Sequence, residues 1–240
     1  MNTGTAKTVA DYVTENIKNA HLFKKHGIDF CCGGNISLAE AATKAQVNLE
    51  LLEKELQQTD ANISAAYDYR NWKLDFLIDH IINVHHQYVE ENIPLLIQYA
   101  AKVAKVHGGE RKELLKIQQL FTEVAQELSA HLKKEELILF PFIKKLVKAE
   151  KEGTPAPEPN FGKIDNPIEM MEAEHDEAGA IFKEISHLSD NYTYPDWACN
   201  TYRAFYSKLE EFENDLHQHV HLENNILFPK AIELERSLNN

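Results

Sequence analysis

The sequence predicts an all-α protein, a four-helix bundle preceded by a small helical N-terminal domain. Three observations carry that expectation. Four long stretches, near residues 72–107, 111–150, 167–189 and 195–236, place apolar residues at helical spacing. Glycine and proline are sparse and clustered, which leaves room for long helices. HLKKEELILFP at 131–141 recurs eighty-eight positions later as HVHLENNILFP at 219–229, so the bundle reads as two related helix pairs.

The elements follow in chain order. Residues 1–60 form the first domain, with helical patterns in VADYVTENI, ISLAEAATKA and LELLEKELQ around a turn at Cys31-Cys32-Gly33-Gly34. QQTDANISAAYDYRN, 57–71, has no clean period and reads as a linker. Residues 72–240 form the bundle domain. Gly108-Gly109 ends its first helix, in the manner of a C-terminal glycine. EGTPAPEPNFGKIDNP, 152–167, is too proline-rich to be helical and separates the second from the third. The run from Asn191 to Pro195 separates the third from the fourth. Pro94 and Pro141 either kink their helices or mark irregular turns.

Bulk properties exclude several function classes. With 25 Lys and Arg against 38 Asp and Glu, the formal charge is −13, which lacks the cationic face that nucleic acid requires. No apolar run approaches membrane-spanning length, so no membrane partner is expected. The start, MNTGTAKTVADYV, has neither a basic nor an apolar leader region, and the expected location is cytoplasmic. Three cysteines, two of them adjacent, make no disulfide framework and agree with a reducing compartment.

The inward seams carry the chemistry. The second helix reads Val124, Leu128, His131, Glu135, Ile138, Phe142, and the fourth reads Phe212, Leu216, His219, Glu223, Ile226. Each is apolar apart from one His-Glu pair at i, i+4, which shares a face one turn apart. The first helix (Asp79, Ile82, His86, Val89, Ile93) echoes the third (Ile168, Met171, His175, Ala178, Phe182) at a displacement of eighty-nine. A buried, unpaired carboxylate costs several kcal/mol. Two glutamates and four imidazoles at one level therefore call for two cations, with a carboxylate from each half bridging them. The competing reading puts these residues on solvated faces, with the seam miscounted by one; duplication in register argues against it. Nitrogen and oxygen donors fit iron, manganese or zinc.

With HGIDFCCGGN (26–35), DHIINVHH (79–86), HLKKEELILFP, EAEHDEAG (172–179) and HVHLENNILFP in view, the chain resembles the hemerythrin-like four-helix proteins, and more closely the family that repairs iron–sulfur centres. The resemblance covers nearly the whole chain. It implies a non-haem di-iron centre, oxo-bridged when oxidised, made by His86, His131, Glu135, His175, His219 and Glu223. It also implies a role in restoring iron–sulfur clusters after nitric oxide or oxidative damage, with damaged iron–sulfur proteins as clients and nitric oxide or another small diatomic molecule as ligand. Oxygen-carrying relatives offer a second histidine one turn after the first in the third helix; here that place is Gly179, which implies a more open and labile centre.

The other histidines read otherwise. His85 has only a partial seam, so His86 is preferred. His107 lies twenty-one residues past His86, roughly 31 Å along a straight helix, and reads as a helix-end residue. His217 and His221 point off the seam and read as rim or surface groups; His80 and His187 have no partner motif. Glu127 and Glu174 are near enough to line a channel or to bond a ligand imidazole. Cys31 and Cys32 form a candidate thiol site, its pKa lowered by a helix starting near Ser37 and assisted by His26. Cys199 reads as core.

Three functions remain open: repair of iron–sulfur clusters by iron donation or nitric oxide removal, nitric oxide reduction at the di-iron centre, and an oxygen or nitric oxide sensing module. Deleting residues 1–60 is expected to abolish repair or signalling and spare nitric oxide turnover. A free N-terminal module can also swap between chains, giving a homodimer.

Overall fold

The structure is a computed structural model that describes residues 7–60 and 69–239. Residues 61–68, the middle of the expected linker, lie outside the described residues. Among the described residues there are helices and turns but no strand, with one isolated bridge between Thr8 and Ser37. An all-α fold is what the sequence predicts.

The N-terminal module has four helices: α1 (Val9–Glu15), α2 (Asn19–Lys25), α3 (Leu38–Lys44) and α4 (Leu49–Asp60). The last of these extends into the stretch read as linker, and a 3₁₀ turn, Tyr69–Asn71, leads into the bundle. Thr8 caps α1 with a reciprocal box to Asp11, which supplies two of the otherwise unpaired donors of a short helix. The thiol turn between α2 and α3 is tied back to α1, since Val9 donates to the Ile36 carbonyl and Ala10 to that of Gly34. A Cβ on Gly34 would lie 2.4 Å from the Phe30 carbonyl oxygen, so only glycine fits there.

The bundle has four rods. The first joins α5 (Leu74–His80) to α6 (Gln87–His107), and the second joins α7 (Glu113–Lys134) to α8 (Phe140–Glu152). The third is α9 (Asp165–Leu188), and the fourth joins α10 (Asn200–Leu222) to α11 (Phe228–Leu238). The second ends in Gly153, whose φ of +65° is the left-handed cap that glycine adopts without steric cost. Three rods are interrupted by a single π turn, at Ile81–His86, Glu135–Leu139 and Glu223–Leu227. Pro141 and Pro229 follow directly, at the start of a new α-helix, where a missing N–H costs least. Pro141 therefore marks an irregular turn, whereas Pro94 sits inside a continuous α6.

The π turns correct the seams. Each inserts one residue, which rotates everything beyond it. Ile138 is consequently 51% exposed, while Leu139 and Phe140 take the core positions. In the first rod, upstream of its π turn, Leu77, Ile78 and Ile81 face inward in place of Asp79 and Ile82, which are exposed and half-buried. The third rod has no π turn, and its seam from Ile168 to Phe182 is buried throughout.

Two apolar clusters fill the molecule. One joins Val9, Phe23, Phe30 and Cys31 of the N-terminal module to bundle residues such as Val89, Val124, Phe182 and Phe212. The other occupies the far end of the bundle, with Leu77, Phe140, Ile168 and Phe228 among its members. On every rod the inward histidines and glutamates fall at the changeover between the clusters.

Candidate metal centre

The π turns aim the polar layer. His86 is the last residue of the first, and Glu135 and Glu223 are the first residues of the other two. His131 and His219 lie one α-turn earlier on the same faces, and His175 comes from the straight third rod. All six predicted side chains are buried.

They converge as two overlapping groups. His86, Glu135, His219 and Glu223 form one, and His131, Glu135, His175 and Glu223 form the other, with each group's ligand atoms within 4.8 Å of one another. Both carboxylates belong to both groups. Glu135 Oε2 lies 3.3 Å from His86 Nε2 and 3.4 Å from His131 Nε2. Glu223 Oε1 is 3.0 Å from His219 Nε2, and its Oε2 is 3.3 Å from His175 Nε2.

Outer partners orient three of the four imidazoles. Nδ1 of His86 donates to Glu136 at 2.7 Å, that of His131 to Glu174 at 2.8 Å, and that of His175 to Asn224 at 2.8 Å. Lys134 holds Glu174 in place. With the Nδ1 protons so committed, the Nε2 atoms face the centre, where each offers a lone pair to a cation once any proton on it has left. Two of them, on His131 and His175, are only 3.0 Å apart. Two lone pairs at that distance repel unless a proton or cation lies between them. The Glu135 oxygens, Glu223 Oε2 and His86 Nε2 are likewise buried without hydrogen-bond partners. The donor set and its unmet demand fit a pair of cations.

The electrostatics agree. Burial disfavours the charged form of His86, but Glu135 and Glu223 override it and lift its pKa to about 10. The same contest leaves His131 at about 9. His219 is pulled down, because burial outweighs Glu223. Burial pushes Glu223 up, yet His219, His175 and His86 together hold it well below the carboxylate range. The metal-free site thus collects protons where cations fit.

Of the two glutamates read as outer groups, Glu174 bonds a ligand imidazole, and Glu127 is exposed. Sequence reasoning missed Glu136 and Asn224, although each directly follows one of the seam glutamates. His85 is buried beside His86, donates through Nδ1 to Asp215 at 2.9 Å, and stacks on His219 outside both groups. His107 ends α6, its Nε2 3.5 Å from the Cys199 sulfur. Cys199 is exposed, a correction to its reading as core: it caps the start of α10 rather than sitting in a helix face. His221 is completely buried, a correction to its reading as a rim or surface group, whereas His217 is half-buried on the cavity wall, a rim position. Phe30 of the thiol turn packs edge-on against both rings at 5.9 Å, a neighbour that a bundle considered alone does not provide.

The thiol turn also departs from expectation. Asp29 Oδ1 accepts hydrogen bonds from the Cys31 and Cys32 amides at 3.0 and 3.1 Å, and from the Cys31 thiol at 3.4 Å. Cys32, burial and Asp29 together raise the Cys31 pKa well above its ordinary value. A helix does begin after Ser37, as expected, but the lowering expected from it is corrected, since the causes acting on Cys31 all raise its pKa. His26 is engaged elsewhere, 2.5 Å from Glu55. Cys31 and Cys32 line a cavity of about 510 Å³ with Gly179, Glu213 and His217.

Residues 77–231 match the Hemerythrin HHE cation binding domain, and residues 5–60 match ScdA_N, a Domain of Unknown function (DUF542). The iron–sulfur cluster repair protein YtfE of Citrobacter koseri is 39% identical over 211 residues, covering 88% of this chain and 90% of that protein. This chain belongs to the iron–sulfur cluster repair family of hemerythrin HHE proteins. YtfE of Escherichia coli K12 and of Shigella boydii match to the same extent. The HHE match spans all six converging residues, and the ScdA_N match spans both adjacent cysteines. No helix among the described residues is long and apolar enough to cross a membrane.

Proposed function

We propose that the protein holds two iron ions and restores iron–sulfur clusters damaged by nitric oxide or oxidative stress, by donating iron, by removing nitric oxide, or by both. The observation that carries the reading is that Glu135 and Glu223 each belong to both four-residue groups. On this reading Glu135 and Glu223 would serve both ions, with His86 and His219 completing one position and His131 and His175 the other. Bound iron supplies redox chemistry and exchangeable coordination positions. Iron is favoured over manganese or zinc because the relatives are iron–sulfur cluster repair proteins.

The chain's own residues do the rest. Glu136, Glu174 and Asn224 fix the rings of His86, His131 and His175, so that Nε2 is presented inward. Gly179 adds no imidazole to the third rod and instead lines the cavity of the thiol turn. Residues 1–60 act as the thiol domain and 72–240 as the metal domain. Cys31 and Cys32 are free thiols in the cavity between them, placed to meet a client protein or a small ligand in a reducing cytoplasm.

Metal loading is expected to release protons. The pKa values of His86 and His131 are raised to about 10 and about 9, so near pH 7 both Nε2 atoms carry protons in the metal-free chain. Both protons must leave on coordination, and affinity should rise about a hundredfold per pH unit between pH 6 and 8, roughly tenfold for each proton. The sign for the metal-free fold is opposite. Raised pKa values stabilise it below the unfolded value near 6.5, and that contribution fades as pH climbs through 9 to 10. Calorimetry in buffers of different ionisation enthalpy counts the protons; none released at pH 7 would contradict the assignment.

The function is tested by loading the protein with ferrous iron and mixing it with an iron–sulfur enzyme inactivated by nitric oxide. About two irons per chain, an oxo-bridge absorption band in air and recovery of the client's activity are expected. Protein that holds only zinc in every preparation sinks the reading. Nitric oxide turnover without client recovery replaces it with nitric oxide reduction.

A further inference from the structure

The π turn that begins with Glu223 serves both halves of the molecule. Its first residue enters both metal groups, its second, Asn224, bonds His175, and its third, Asn225, reaches the thiol turn. Asn225 Nδ2 donates to the Cys31 carbonyl at 3.0 Å and lies 3.1 Å from His221 Nδ1. The same amide nitrogen lies 3.5 Å from the Phe30 carbonyl, so it faces the thiol turn and the His221 ring together. His221 Nε2 lies 3.4 Å from the Thr14 hydroxyl, which itself donates to the Ala10 carbonyl at 2.8 Å.

One chain of polar contacts thus runs from the metal-bearing turn to α1 and to the backbone of Cys31. The chain is enclosed: His221 is fully buried, Phe30 packs against its ring, and Lys24 clamps α2 to Glu213 and Asn214 farther along the same rod. The thiol module is held along α10 and its π turn by these contacts.

We propose that Asn225 couples the metal centre to the thiols, so that metal occupancy sets how readily Cys32 reacts. The inference rests on the reading of the six convergent residues as metal ligands. With cations bound, Glu223 is fixed, the turn behind it is fixed, and Asn225 keeps the Cys31 carbonyl docked with Cys32 only half-exposed. Without cations, only the surrounding imidazoles hold the two fully buried carboxylates, and a π turn is the less regular segment of its rod. The turn shifts, Asn225 lets go, and the thiol turn opens. A centre emptied by giving up its iron would then expose the adjacent thiols, which ties the two sites into one cycle.

The test uses the full chain, loaded with ferrous iron or stripped by a chelator, with metal content measured in each sample. Iodoacetamide labels the thiols and peptide mass spectrometry separates Cys32 from Cys31 and Cys199. Stripping should speed Cys32 labelling about fivefold or more, the low end of ordinary coupling between sites. In Asn225→Ala, Cys32 should label fast in both states while the iron content stays that of the parent. Thr14→Val, which breaks the far link without touching the π turn, should raise the loaded rate partway. A parent that takes up no metal defeats the ligand reading, and this inference with it. A loaded parent whose Cys32 rate ignores metal, or an Asn225→Ala protein that keeps the full metal dependence, overturns the coupling alone.

Discussion

Glu223→Gln is expected to empty both metal positions, whereas His131→Ala or His219→Ala should weaken only one. The asymmetry follows from membership. Glu223 belongs to both groups, His131 only to the group with His175, and His219 only to the group with His86. Losing an outer hydrogen-bond partner of a ligand costs roughly 10–100-fold in affinity, and losing a shared carboxylate should exceed that. Glutamine keeps the shape but removes the anion that faces His86, His175 and His219, so the metal-free variant should melt somewhat lower than the metal-free parent. Metal loss is separated from unfolding by a helical spectrum that matches the metal-free parent well below either melting point. Elemental analysis of purified protein, alongside far-ultraviolet circular dichroism, gives the answer. A Glu223→Gln protein that retains two ions removes the basis for the shared-carboxylate centre. Glu135→Gln should behave in the same way.

A chain without residues 1–60 should be much less stable than the full protein, by about 3 kcal/mol or more, the burial of roughly two large apolar side chains. The N-terminal module is part of the bundle's packing. Phe30 fills the space beside His217 and His221, α1 rests on the third π turn, and Val9, Phe23 and Cys31 share an apolar cluster with bundle residues. In a chain of this size the loss corresponds to a melting point lower by roughly 6–12 °C. Thermal denaturation and binding of a hydrophobic dye measure it. A truncated bundle that melts like the full chain would show that the module adds no stability. The expected loss also changes how the thiols should be tested. Removing 1–60 confounds missing thiols with a weakened bundle, so Cys31→Ser and Cys32→Ser are the cleaner comparison.

The polar layer was legible in the sequence because it broke a pattern twice. A histidine and a glutamate at i, i+4 on an apolar stripe are conspicuous, and the second copy in register made chance alignment a poor explanation. The helix spans were legible for the usual reason, since Gly108-Gly109 and the proline-rich 152–167 punctuate them. The π turns were hidden. Nothing in amino-acid type marks a bond to the fifth residue back instead of the fourth, so a seam counted at constant pitch runs out of phase and assigns Ile138 to the core. The burial of His221 was hidden because its neighbour Phe30 comes from a module almost two hundred residues away in sequence. The Cys31 pKa was misjudged because a helix start was weighed and a second thiol and Asp29 were not.

The Ile-Leu-Phe-Pro tail now has a reason to accompany each His-Glu pair. One surplus residue per interrupted rod turns the outer segment by about 100° relative to the inner one, so the two ends of the rod are indexed separately, like cams keyed to a common shaft. Deleting a single residue from 135–139 would leave the rod's length almost unchanged yet present the wrong side of α8 to its neighbours. In the second and fourth rods the pair and its tail therefore work as one unit, setting which sides of α8 and α11 meet their neighbours.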